Sequence, residues 1–227
     1  MQTVIFVAGE GTRLRPLTET KPKPLVEVAG RPIIEHIFRD LPGKIDEVIL
    51  VIGYKGDMIR DYFGDEYEGI KIKYVVQEKQ LGTFNALKTA EHLIRDEPFL
   101  CLMGDDFHSK KGFEKLTEYD YAMLVAWRDD VRSFGLAKFD DDMILKELIE
   151  KPENHEGGGY VFTGATTITR EIFKEPPVYK KNGEDVLPPM IGNLSAKYPV
   201  KVLKSDFWFP IAYPEDVEKA EKLLSNK

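Results

Sequence analysis

Four basic side chains in one loop and an aspartate closing an apolar run are the groups of this sequence best placed to do chemistry. Arg13, Arg15, Lys21 and Lys23 fall within eleven residues. The loop that carries them opens with Ala8, Gly9, Gly11 and Thr12. Two glycines two apart let the backbone approach an anion and turn N–H groups toward it. Pro16, Pro22 and Pro24 stiffen the stretch. Asp105 follows the run Phe99–Met103 and Gly104. Its hard oxygens suit Mg²⁺, which takes one or two protein carboxylates and shares phosphate oxygens. Cations, backbone donors and a carboxylate are the parts of a phosphate site. Leu14 stands where a dinucleotide fingerprint needs its third glycine, and no Gly-Lys-Ser/Thr follows, so neither that motif nor a Walker A loop is present. Taken alone, the glycine pair reads as a turn.

Other candidates are few. Gln77 could read a base edge, since its amide both donates and accepts. Gly82 and Thr83 follow it, and a glycine there would let a flat base lie on the backbone. His36, His92, His108 and His155 lack H-x-x-x-H spacing, and no serine sits in a G-x-S-x-G elbow. Cys101 is the lone cysteine, so an intramolecular disulfide is excluded and a reducing cytoplasm is the expected setting.

The elements that must position these groups alternate. Gln2–Val7, Glu47–Ile52, Lys71–Val76 and Phe99–Met103 read as buried strands. Arg31–Asp40, Lys55–Phe63, Thr83–Ile94 and a short stretch near Phe113–Glu118 read as helices between them. That alternation predicts βαβ units and a mostly parallel sheet. Tyr121–Ala126, Gly135–Phe139, Leu145–Ile149, Tyr160–Ile168 and Val200–Leu203 make the second half richer in strands. A helix over Pro214–Leu224 ends the chain, with Pro at its first turn. The expectation is one α/β domain over residues 1–227, with a boundary between its two parts near residue 130. Ligands of such sheets bind outside the carboxyl ends of the strands, where the basic loop and Asp105 both lie.

The stretch GEGTRLRPLTETKPKPL resembles the signature of the sugar-phosphate nucleotidylyltransferases, and the order of later motifs resembles the same family along the whole chain. The resemblance implies a three-layer α/β/α, Rossmann-like nucleotidyltransferase fold with a mostly parallel central sheet and a β-rich sugar-binding portion. It implies Mg²⁺-dependent transfer of a nucleotidyl group from an NTP to a sugar 1-phosphate. Arg13 would meet the β- and γ-phosphates, Lys23 would bridge the α-phosphate and the sugar phosphate, and Asp105 would hold the metal. Ala8, Gly9, Gly11, Thr12, Gln77, Gly82 and Thr83 would bind nucleotide. Gln77 with Gln80-Leu81-Gly82-Thr83 resembles the uridylyltransferase branch, which favours UTP or dTTP. CTP or GTP with another phosphorylated acceptor stays open. Gly135, Glu150, Lys151, Thr163, Gly164 and Glu184 match motifs that line the sugar-phosphate side.

The pattern breaks at Trp208–Asp216. The family carries there a second metal aspartate, and Pro210 stands in its place. Water or substrate phosphates could complete the metal shell, Asp206 could substitute, or the protein could bind nucleotide sugar without transfer. Asp106 receives no role from the resemblance.

With 42% hydrophobic residues and a net charge of −7 the chain is too apolar and too weakly charged to be disordered. An acidic balance argues against nucleic acid. Residues 1–25 carry four basic and two acidic side chains, a local +2, which leaves −9 on the other 202 residues. A phosphate pocket on an acidic body is the expectation. No run of 18 apolar residues suggests a membrane span. No hexapeptide repeat is seen, so a second acyltransferase-like activity is not expected. A homo-oligomer is left open.

Overall fold

The computed structural model describes residues 1–225. The chain runs through β1 (Gln2–Val7), β2 (Glu27–Val28), β3 (Arg31–Pro32), α1 (Ile33–Asp40), β4 (Glu47–Ile52), α2 (Gly56–Phe63), β5 (Glu66–Tyr67), β6 (Ile70–Val76), α3 (Thr83–Ala90) and β7 (Phe99–Met103). It continues through β8 (Asp106–His108), α4 (Lys110–Leu116), β9 (Ala122–Arg128), β10 (Gly135–Phe139), β11 (Leu145–Glu150), β12 (Gly159–Ile168), α5 (Leu187–Ser195), β13 (Lys201–Lys204), β14 (Trp208–Pro210) and α6 (Pro214–Ser225).

One ten-stranded sheet runs through both halves. Its centre, β7-β1-β4-β6, is parallel. Strand β4 shows why its sequence, EVILVI, does not alternate with polar residues. Ile49 and Val51 pack under Phe84 and Leu87 of α3. Val48, Leu50 and Ile52 pack on the other face, against Ile34 and Ile37 of α1 and Ile59 of α2. With helices on both faces, every side chain is covered, and each such burial contributes about 1.5–3 kcal/mol. The carboxyl ends of these four strands lie along one edge and deliver the loops that begin at Ala8, Gly53, Gln77 and Gly104.

The second half joins through β12, which forks. Ala165–Ile168 pair antiparallel with β7, while Val161 pairs with Leu136 of β10. Strand β9 runs along the other side of both segments, with a register shift between Phe162 and Thr166. Gly164 sits in that shift at φ 81°, a conformation open to glycine and costly for other residues. The mostly parallel sheet and the β-rich portion are therefore one sheet bent at Thr163-Gly164.

The main helices and strands fall where the sequence places them. The α3 helix is shorter than its periodicity suggests and gives way to a 3₁₀ turn at Glu91–Leu93. Helix α4 starts earlier, because the Ser109 hydroxyl accepts from Gly112 N at 2.9 Å and caps it. Helix α5 has no counterpart in the sequence reading. Pro188 and Pro189 look like breakers, yet in a first turn their missing N–H groups cost nothing.

Candidate active site at the carboxyl edge of the sheet

The basic loop folds back on itself. Leu14 is buried with Val26, Ile33, Phe107, Ile211 and Val217, which pins the loop to the α1 and α6 side of the molecule. Thr18 Oγ1 donates to Gly11 O at 2.9 Å, and Tyr54 N–H and Gln80 Nε2 both donate to Ala8 O. Gly9 and Thr12 are exposed.

The four basic side chains have different fates. Arg15 pairs with Glu10, Lys21 with Glu27 at 3.4 Å, and Lys23 with Asp105. Among the described residues Arg13 alone of the four meets no carboxylate. Its guanidinium lies 5.5 Å from the centre of the Tyr213 ring. That ring is fixed from behind, since the N–H groups of Ala212 and Tyr213 donate to Asp216 Oδ2 at 3.0 and 2.9 Å. The local excess of charge seen in the sequence thus narrows to one free guanidinium and one lysine held against a carboxylate.

Asp105 leaves the end of β7, and Ile211 N–H donates to its carbonyl at 3.0 Å. Burial, and then the Asp105 charge, push the Asp106 carboxyl well above the usual carboxylate range; Lys23, Trp208 and Arg128 oppose that shift without reversing it. Trp208 lies close enough to favour the Asp106 charge, yet its buried Nε1 makes no hydrogen bond. Arg128 stacks on the Trp208 ring at 4.4 Å and Phe134 meets it edge-on at 5.4 Å. His108 is buried, which lowers its pKa to about 4 and keeps it neutral. Its Nε2 faces Thr163 O and Oγ1 at 3.2 and 3.1 Å, so it ties β8 to the fork.

The donor set fits a divalent cation. Asp105 and Asp106 offer hard carboxylate oxygens. Gly164 lets the Asp106 carboxyl pack close against the fork: a Cβ there would crowd Asp106 Oδ2 at 2.9 Å and Met103 Cγ at 2.6 Å. The Lys23 ammonium shows that Asp105 already receives a positive charge. Among the described residues no cluster of three or more metal-ligating side chains exists, and Mg²⁺ does not need one. Asp206, the sequence candidate for the missing carboxylate, instead accepts the Ser109 hydroxyl at 2.5 Å at the start of α4.

The base loop holds a surprise. Gln77 is buried, and its Nε2 donates to Gly82 O at 3.1 Å and Asn85 Oδ1 at 3.0 Å. Both amide protons are spent within the protein, leaving Oε1 as the group free to act. Gly82, at φ 114°, lies against the Asp185 backbone so closely that a Cβ would meet Asp185 O at 1.8 Å. Thr83 Oγ1 accepts from Leu187 N at 2.9 Å. Gly82 and Thr83 thus fasten this loop to the segment that starts α5, while Gln77 braces it from within.

The sugar-side residues divide into two groups. Glu150 and Lys151 line a cleft of about 730 Å³ between β11, α5 and residues 178–182. Lys180 reaches Glu150 at 3.6 Å and Glu184 at 3.2 Å. It bridges two carboxylates that sequence reasoning named separately, and nothing in its loop signalled it. Gly135 pairs with Glu150 in the β10–β11 ladder. Thr163 and Gly164 are not in that cleft's lining; they sit at the fork against His108 and Asp106.

Comparisons with known proteins came to the same fold and family. The chain is 36% identical to the UTP–glucose-1-phosphate uridylyltransferase AglF of Haloferax volcanii, covering 100% of this chain and 98% of that protein. It is 33% identical to the bifunctional protein GlmU of Methanococcus maripaludis, covering all of this chain but 55% of that one. It thus spans about half the length of that relative. It is 31% identical to a D-glycero-alpha-D-manno-heptose 1-phosphate guanylyltransferase of Campylobacter jejuni, covering 95% and 96%. The structure of a UDP-glucose pyrophosphorylase complexed with UDP-glucose superposes with a TM-score of 0.84 at 20% identity, covering 99% and 98%, a likeness of fold. No described helix is long and apolar enough to cross a membrane. The nucleotidyl transferase family model matches residues 2–226, and the chain belongs to that family.

Proposed function

We propose that the protein transfers a nucleotidyl group from an NTP to a sugar 1-phosphate, releasing pyrophosphate, with UTP or dTTP favoured. The observation that carries this reading is the Lys23–Asp105 pair, which joins the basic loop to the end of β7 across 82 positions. A cation and a carboxylate at two strand ends are what two mutually repelling phosphates need in order to meet.

Members of this family generally depend on a divalent metal, and we take Mg²⁺ as the ion, held by Asp105. When bound, it would supply positive charge to the phosphate oxygens. The chain's own residues do the rest. Arg13, steadied on Tyr213, binds the β- and γ-phosphates and the departing pyrophosphate. Lys23 holds the α-phosphate against the sugar phosphate, and Lys151 binds the sugar phosphate from the other side. A phosphate oxygen of the sugar forms a bond to the α-phosphorus as the bond to pyrophosphate breaks, and the electron pair leaves with pyrophosphate. Positioning and charge stabilisation suffice, with no covalent enzyme intermediate.

Gln77 Oε1 is left as an acceptor, which suits the N3–H of uracil or thymine. Cytosine has no hydrogen at that nitrogen and is disfavoured. Guanine also carries a ring N–H, and a guanylyltransferase stands among the relatives, so GTP is the second reading. A pyrophosphate-release assay over UTP, dTTP, GTP and CTP against several sugar phosphates tests both. Release with UTP or dTTP is expected; release only with GTP shifts the assignment to the second reading; no release with any pair sinks it.

A further inference from the structure

We propose that Asp106 acts with Asp105 as the second protein carboxylate for the divalent cation, doing from β8 what position 210 on β14 does not do. The proposal rests on the reading above for the presence of a metal, and on the strand ladder for its geometry. β8 and β14 run antiparallel with Asp106 directly opposite Pro210. Directly opposed residues of such a pair project to the same side of the ladder, with Cβ atoms about 4.5–5.5 Å apart. A carboxylate on residue 106 therefore serves the same side as one on residue 210 would. The ladder ends where Ile211 N–H meets Asp105 O at 3.0 Å, so both aspartates stand in that corner.

Three local features agree. Asp105 has Lys23 as its cation, whereas among the described residues Asp106 forms no ion pair. Gly164 has no side chain to push Asp106 Oδ2 out of that corner, where a Cβ would crowd it at 2.9 Å. Trp208 is only 9% exposed and leaves its Nε1 near the Asp106 carboxyl without a partner. A cation that keeps Asp106 ionised keeps a carboxylate acceptor beside that N–H. A buried donor left unmade otherwise costs about 1–3 kcal/mol.

The test is Mn²⁺ binding to the full chain, read from loss of the free-ion electron paramagnetic resonance signal. Wild type should bind Mn²⁺, and Asp106→Asn should weaken it by about tenfold or more, since even residues that only support metal ligands cost about 10–100-fold. Pro210→Asp in the Asp106→Asn background should restore most of the loss, and Pro210→Ala should not. Pro210→Asp alone should tighten binding, which keeps the test open if Asp106→Asn folds poorly. Asp206→Asn should change nothing. Wild type that binds no Mn²⁺, an Asp106→Asn variant that binds as wild type does, or a Pro210→Asp carboxylate without effect in either background would overturn the proposal. Mn²⁺ binding that needs Asp106 in a protein releasing no pyrophosphate would sink the transferase reading instead and leave this one standing.

Discussion

The two ends of the parallel strands carry the same kinds of charged group and treat them in opposite ways. At the amino end the charges close on each other. The Met1 ammonium donates to Asp46 and to Lys44 O, both at 3.0 Å. Arg95 grips Asp46 through two nitrogens at 3.0 and 2.6 Å and reaches Glu97 at 3.0 Å. Glu47 takes Gln2 and Lys73. The Arg95 guanidinium holds the Asp46 carboxyl well below the usual carboxylate range. At the carboxyl end Arg15, Lys21 and Lys23 are paired, but three other groups are left short of partners. Arg13 has an aromatic face in place of an anion, Asp106 is pushed upward by burial, and Trp208 Nε1 is orphaned. Closed networks hold a fold together, while open ones leave room for a ligand, so the difference agrees with the carboxyl edge as the proposed working edge.

The sharpest way to break that comparison is Arg13→Ala. It should lower turnover by about 10²–10³, the loss expected of about 2.7–4 kcal/mol for one charge-stabilising donor. The thermal midpoint should barely move; steady-state kinetics beside a melting curve check both halves. Turnover close to wild type would mean that the free guanidinium is not at a phosphate.

Next in size is a pH effect at the fork. His108 is depressed from 6.5 to about 4, so below 6.5 the unfolded chain takes up a proton that the folded chain refuses. Its contribution to stability is present above about 6.5 and is lost as pH falls toward 4, on the order of 3 kcal/mol in all. Asp106, shifted upward, pulls the other way in part of that window. The comparison is therefore between variants: relative to wild type, His108→Asn should flatten the acid side of a denaturation-versus-pH curve. An unchanged slope would contradict the neutral, buried His108.

Tyr213→Ala should have a smaller effect, about 0.5–1 kcal/mol for an exposed cation–π contact. That is about a two- to fivefold rise in KM for the NTP with kcat little changed. Tyr213→Phe keeps the ring and should behave as wild type. If Ala and Phe act alike, the ring does not steady Arg13.

The smallest effect is expected at the closed end. Asp46 is well exposed, and exposed pairs are worth about 0.2–1 kcal/mol. Asp46→Asn should cost no more than that in urea denaturation and leave transfer untouched. Because the folded Asp46 pKa is depressed, its share of stability is present above the ordinary carboxylate value and lost in acid. A large loss of activity would overturn the contrast between the two edges.

Much of this was legible in the chain. Apolar runs such as EVILVI and FLCLM between turn residues read as strands covered on both faces, and the 3.6-residue spacing in Thr83–Ile94 reads as a helix beside them. The loop carrying Arg13 and Lys23 had to leave a strand's carboxyl end. Other features were hidden because they depend on what lies opposite. The α5 helix, with Pro188 and Pro189 in its first turn, has no counterpart in the sequence reading. Gln77 read as both donor and acceptor until Gly82 and Asn85 took both of its protons and left it an acceptor alone. Lys180 was one lysine among many until it met Glu150 and Glu184.

The sequence by itself determined the alternation of strands and helices in the first half and the edge at which the basic loop and Asp105 emerge, because burial patterns and loop composition are local. Tertiary structure decided which charges are free and which are spent. It paired Lys23 with Asp105 and Asp106 with Pro210, through ladders and contacts between segments about a hundred residues apart. The loss of an aspartate at 210 looks final along the chain. Across the ladder an aspartate stands opposite it, and only the register of two strands puts it there.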